Sequence, residues 1–315
     1  MAARQYPAKA FVTDPLRFIA RHGQWVLAFG LVLGLLLPGL ATGLKPWLPW
    51  LVIGLLYVSL LRMSVAGMLA ALREVPRMLP TVALMQLAVP LVVLAVAWIT
   101  GTLTSPVALS LILVSAAPSI VGSPNVVMIM GASPDPALRL MVAGTLLLPL
   151  TVIPVFALSP MLSGVWDVVL AALSLLLTIL LTSAAAMVTR RMLFPKPGPV
   201  VLDRLQGASA IALVVVVVAL MPAVVEIARN SWGLLAFWLA IAFGANFGAQ
   251  ALARAFTKGQ PRDEALALSF IAGNRNIALF LVSLPPDITA QVLPFIGCYQ
   301  LPMYLTPILL RRLYA

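Results

Sequence analysis

The chain has 315 residues, 62% of them hydrophobic and only 9% charged. A soluble domain carries about 25% charged residues. Here apolar runs of about 20 residues, each able to cross a hydrocarbon core of about 30 Å, follow one another along the chain. This excludes a soluble globular fold, and the lack of roughly 10-residue alternating segments excludes a membrane barrel. An all-α membrane protein is expected.

The segment 1–23 is a basic leader carrying Arg4, Lys9, Arg17, Arg21 and the lone His22. The apolar run that follows, Gln24 to Ala41, ends without an A-x-A site. It reads as a first membrane helix and not as a cleaved signal. Ten spans are expected, at 24–41, 46–63, 79–101, 106–132, 137–158, 164–189, 206–225, 233–254, 264–285 and 288–310. Residues Ser64 to Met78 read as a surface helix or a long helix end, and 311–315 as a short tail. All but three of the 20 lysines and arginines fall in the segments that share a side with the leader. Lys45 and Arg229 lie opposite, and Arg275 lies within a span. Cytoplasmic loops collect these residues, so both termini are expected on the cytoplasmic side. The net charge of +11 is then a topology signal that touches membrane lipid headgroups. No nucleic-acid partner is expected, because no basic run is interleaved with aromatics. Cys298 is the only cysteine, which excludes an internal disulfide and a cysteine-based metal cluster.

Two stretches share the pattern G-x-x-N in mid-span, Gly122-Ser123-Pro124-Asn125 and Gly273-Asn274-Arg275-Asn276, 151 residues apart. Each is followed by P-x-x-x-x-P, Pro149 to Pro154 and Pro302 to Pro307. Amides also interrupt the third and eighth spans, at Gln86 and at Asn246 and Gln250. The pattern predicts an internal repeat, 24–158 and 164–310. With five spans each, the halves insert in opposite orientations, as in many secondary transporters. Lipid cannot satisfy backbone groups freed at a helix break, so such breaks persist only where protein, water, substrate or ion does.

The candidate substrate-binding residues are Arg275, Asn125, Asn276, Asn274, Ser123 and Gln86. A guanidinium in a span usually faces a cavity or a partner, and Arg275 is suited to gripping a carboxylate or sulfonate in bidentate fashion. The alternative is that it pairs with backbone carbonyls for structure alone. The asparagines likewise bind substrate or make interhelical hydrogen bonds. No Asp or Glu lies deep in a span, so direct sodium or proton coupling through a buried carboxylate is not expected. Gly30/Gly34 and Gly244/Gly248 read as helix contacts, and Trp25, Trp47, Trp50, Trp166 and Trp232 as an interfacial belt. Tyr299 and Gln300 either line a cavity or pack. No catalytic motif occurs, so neither an enzyme nor a cofactor is expected.

These residues resemble the bile acid:sodium symporter superfamily. The resemblance is most specific at Ser115-Ala116-Ala117-Pro118, Gly122 to Met128, Thr145 to Leu150 and Gly273 to Asn276, with Gln86 as a further family position. It implies a panel domain and a core domain, with the broken fourth and ninth helices crossing in the core. It also implies a bacterial inner-membrane transporter of small organic anions by alternating access. The chain departs from the family at three places. Ile271 stands where sodium-binding members carry glutamate, and Arg275 where they carry glutamine. The start of the fifth span, Ala137 to Met141, lacks their hydroxyls. The expectation is a sodium-independent carrier in which Arg275 supplies the positive charge. The alternatives are an efflux carrier of the related arsenite or auxin type, and a membrane ligand sensor that does not transport. The arsenite version lacks its expected cysteine in the fourth span.

Overall fold

The computed structural model describes residues 14–160 and 164–310. The first part of the leader, with Arg4 and Lys9, and the tail with Arg311 and Arg312 lie outside them. Among the described residues 84% are helical and none lies in a strand.

The helices are α1 (Pro15–Arg21), α2 (Gly23–Leu36), α3 (Pro38–Leu44), α4 (Leu48–Leu60), α5 (Val65–Arg73), α6 (Val75–Ala83), α7 (Val89–Ile99), α8 (Pro106–Ala116), α9 (Ser123–Ile129), α10 (Asp135–Leu158), α11 (Val165–Leu193), α12 (Pro199–Asn230), α13 (Trp232–Phe256), α14 (Arg262–Gly273) and α15 (Pro286–Leu309). A 3-10 turn joins α3 to α4, a π-helical turn (Leu84–Ala88) joins α6 to α7, and a six-residue 3-10 helix (Ile277–Val282) follows α14. Among the described residues, seven helical stretches are long and apolar enough to cross a membrane by themselves. Among them is the middle of α12, five consecutive valines from Val214. β-Branched residues are mediocre helix formers in water, but in lipid every backbone group must pair internally, so helix is the outcome regardless of propensity.

Two expectations need correction, and one pair of alternatives is decided. The first span does not run to Ala41: α2 ends at Leu36, and Leu37 leaves the helical region with φ −115° and ψ 68°. The next helical stretch starts at Pro38 and continues through Lys45, which keeps helical dihedrals. The cause is Pro38, which disfavours the α conformation in the residue before it. Gly244 and Gly248 do not mediate a helix contact; a Cβ on either would meet nothing within 4 Å. The buried side of α13 is Trp238, Ala242, Asn246 and Gln250, spaced by four, and the two glycines lie away from it. Tyr299 and Gln300 are buried, with relative exposures of 1% and 5%, and hydrogen-bonded within the protein. By contrast, Gly34 does seat α2 on α12, where a Cβ would lie 2.5 Å from Met221 Cγ. Trp47, Trp50, Trp166 and Trp232 are exposed near helix ends, as interfacial aromatics are.

The helix α12 is the spine, flanked by α1, α2, α3, α4 and α15. The short α1 is held to its start by two reciprocal ion pairs, Asp14–Arg204 at 2.7 Å and Arg17–Asp203 at 3.3 Å. The hydrogen bond from Arg204 holds the Asp14 carboxyl below its ordinary value. That contribution is present above about pH 4 and is lost as pH falls through the lowered folded-state value. Asp14→Asn is expected to speed tryptic cleavage after Arg17 and Arg21 several-fold at pH 7, without changing the melting temperature of the bundle.

Candidate functional site

Both G-x-x-N stretches are breaks. Pro118 disfavours helix at Ala117, whose ψ of 149° ends α8, and the chain stays unwound until Ser123. In the second half α14 ends at Gly273, and Asn274 (φ −112°, ψ 81°), Arg275 and Asn276 (φ −85°, ψ 61°) lie outside any helix. The two unwound segments lie antiparallel and pair with each other. The Ile120 N–H donates to Asn274 O at 3.1 Å, the Asn276 N–H donates to Pro118 O at 2.7 Å, and Ser119 stands opposite Arg275. Each break thus satisfies part of the other's freed backbone, which lipid could not do.

At this crossing Arg275 is 5% exposed. Its guanidinium donates to three carbonyls from three different segments: Nε to Ala272 at 3.1 Å, Nη1 to Ala117 at 3.0 Å and Nη2 to Met85 at 3.4 Å. The local backbone explains why all three carbonyls are free. The N–H four residues past Ala272 belongs to Asn276 and is given to Pro118 across the crossing. In the π-helical turn the Val89 N–H bonds Leu84 O in place of Met85 O, and the next residue, Pro90, has no N–H to offer. Ala117 is the C-cap of α8, where carbonyls lack intrahelical partners. The ends of α8 and α14 each carry roughly −0.5 charge. Together they balance one guanidinium, so Arg275 sits at the crossing without a carboxylate. No ion pair among the described residues includes it.

A buried polar network closes around the end of α14. Asn246 and Tyr299 both donate to the Gly273 carbonyl. Gln250 donates to Asn246 at 2.6 Å and to Thr306 at 3.0 Å, and Thr306 reaches Asn274 at 3.4 Å. Asn274 also donates to Phe270 O at 2.8 Å. Gly273 is required here, because a Cβ would overlap the Asn246 carbonyl oxygen. Gly273→Ala is therefore expected to destabilise the protein by about 2–3 kcal/mol, read as a fall in melting temperature. In the other half Thr151 donates to Gln86 Oε1 at 3.2 Å. Ser119 and Ser123 share a hydrogen bond, and Ser123 donates to Ile120 O at 2.6 Å.

The six candidates thus fall into two groups. Arg275, Asn274, Ser123 and Gln86 are buried and engaged within the protein. Asn125 and Asn276, the matched asparagines of the two G-x-x-N stretches, are only half-buried. Among the described residues no hydrogen bond involves either side-chain amide, and these are the two donor–acceptor groups left available beside the crossing. Next to it, a cavity of about 330 Å³ lies between α4, α5, α10 and α11 and reaches Val121. Its walls are apolar, including Leu56, Met68, Met141 and Ile179, with hydroxyls only from Thr145 and Ser183.

Sequence reasoning missed Thr306, Thr151 and the Met85 carbonyl. Both threonines fall between the paired prolines of α10 and α15, and that spacing was the available signal for them. No group of three or more His, Cys, Asp or Glu is positioned to hold a metal among the described residues. Comparison of the chain with protein-family models and with curated proteins finds no match.

Proposed function

We propose that the protein is a secondary transporter of small organic anions, carboxylates or sulfonates, working by alternating access without sodium. The single observation that carries this reading is the paired crossing of two unwound segments, with a guanidinium where their carbonyls converge. In a carrier coupled to sodium, a metal ion would neutralise such carbonyls. Here Arg275 does so permanently, and substrate binds without a co-ion. Asn125 and Asn276 then offer their amides to the substrate's oxyanion.

In this reading the chain crosses the membrane ten times, as two inverted repeats of five, with both termini in the cytoplasm of a bacterial cell. The matched hydrogen bonds support the repeat, since an amide of the third span meets a threonine of the fifth in each half: Gln86 with Thr151, and Gln250 with Thr306. The α2, α3, α4, α11 and α12 group forms the panel and the rest the core. The resemblance to the bile acid:sodium symporter superfamily supports the same assignment. Counterflow in proteoliposomes, across a panel of labelled carboxylates and sulfonates, is the direct test. Exchange of at least one anion at equal rates in sodium and in choline is expected. Exchange that requires sodium, or none for any anion, would overturn the reading.

A further inference from the structure

The two glycines that open the G-x-x-N stretches are not equivalent. At Gly273 a Cβ would overlap the Asn246 carbonyl oxygen, so packing demands glycine there. At Gly122 a Cβ would meet nothing within 4 Å. The φ of Gly122, −78°, is one that every L residue adopts. Gly122 is the N-cap of α9, a position that serine or asparagine fills at least as well. Neither backbone nor packing accounts for this glycine, and the protein leaves the space beside it open.

That space adjoins a polar group. The Gly122 carbonyl accepts the N–H of Asn125 at 3.1 Å and of Val126 at 3.2 Å. This one turn places Gly122 and Asn125, three residues apart, on the same face of α9. Val127, on the far side of the helix, is buried together with Leu140 of α10 and Phe270 of α14. Gly122 and Asn125 are both half-buried. An unpaired amide at mid-span is costly against hydrocarbon. The face that Asn125 shares with Gly122 therefore meets water or a polar ligand and not lipid tails.

We infer that Gly122 sets the bulk of the anion this site accepts. The inference rests on the reading of Asn125 and Asn276 as the groups that bind the oxyanion. Positions three apart on a helix are roughly 5–6 Å from each other. A group attached directly to a carboxylate or sulfonate held by Asn125 thus reaches the space that Gly122 leaves open. The substrate class is anions with a branched or aromatic group at that place.

Counterflow in proteoliposomes with labelled acetate, isobutyrate, benzoate, methanesulfonate and benzenesulfonate tests it. The parent is expected to exchange at least one bulky anion faster than the small one with the same headgroup. Gly122→Ser is expected to lower that bulky-to-small ratio about tenfold, and Gly122→Leu to lower it further. Gly122→Ser is also expected to melt within about 1 °C of the parent, since its Cβ meets no protein atom within 4 Å. Gly244→Leu, at an equally open glycine on α13, is expected to leave the ratio unchanged. A parent that prefers acetate and methanesulfonate overturns the inference and leaves the transporter reading standing. So does an unchanged ratio in Gly122→Ser, or an equal fall in Gly244→Leu. A Gly122→Ser that melts several degrees lower or fails to fold has the same consequence, because the space would then be filled by protein. A parent that exchanges no carboxylate or sulfonate overturns the transporter reading itself, and this inference with it.

Discussion

Replacing Arg275 with methionine is expected to cost about 3–5 kcal/mol of stability, one of the largest effects available to a single substitution in this chain. The methylene stem is preserved in length, so little volume is lost. What is lost is the donor set: three carbonyls from α8, α14 and the π-helical turn go unsatisfied at once. Each buried unsatisfied group costs about 1–3 kcal/mol. The negative ends of α8 and α14 also face each other without a cation between them. Arg275→Gln separates the structural role from the electrostatic one. It keeps one or two hydrogen bonds but not the charge, and it leaves carbonyl oxygens gathered around a small space. Sodium is therefore expected to raise the melting temperature of Arg275→Gln while choline at equal ionic strength does not, and to leave the parent unaffected. A destabilised Arg275→Gln that ignores sodium would sink the idea of a fixed replacement for a metal ion and leave Arg275 as a structural clamp.

Substitution of Asn125 or Asn276 by alanine is expected to weaken anion binding about 10- to 100-fold each, the effect of removing one hydrogen bond to a charged group. Neither should change the melting temperature by more than about 1 °C, because neither amide makes a hydrogen bond within the described chain. Asn246→Ala and Asn274→Ala are the controls. Both side chains are wholly buried in the network around Gly273, and both variants should melt clearly lower. The measurements are substrate-induced thermal shift and counterflow on the same preparations. If Asn125→Ala and Asn276→Ala bind and exchange anions like the parent, the site lies elsewhere.

The two breaks were legible in the sequence because proline, glycine and bare amides inside apolar runs have few structural uses, and a lone arginine at that depth has fewer. The partners of Arg275 were not legible. Met85 has nothing in its side chain to mark it. Its carbonyl is free because Val89 slips one residue along in the hydrogen-bond ladder and Pro90 follows, and that slip is a property of the folded bundle. Burial also had to be seen to sort the amides. By residue type Asn274 and Asn276 are alike, yet one closes a hydrogen-bond network and the other stays open. Arg190 illustrates the same difficulty in reverse. Counted among the basic residues at a helix end, it serves only to orient the chain, and the burial of its Nη1 without an acceptor appears only once α11 is packed. Gly244 and Gly248 misled because a small-residue pattern says that a close approach is possible, not that a neighbour is present.

The six-residue 3-10 helix after Asn276 is unusually long for its kind, since such runs rarely exceed three or four residues. It rests against α4 and α11. A 3-10 helix advances about 2.0 Å and turns 120° per residue, an α-helix 1.5 Å and 100°. Rewinding Ile277–Val282 into α form would shorten it by about 3 Å and rotate its far end by about 120° relative to Asn276. The segment is a screw of fixed sequence and two pitches. One end is anchored at the asparagine beside the crossing and the other bears on the opposing helices, so a change of pitch would convert an event at the amide into a turn of the surface that α4 and α11 meet.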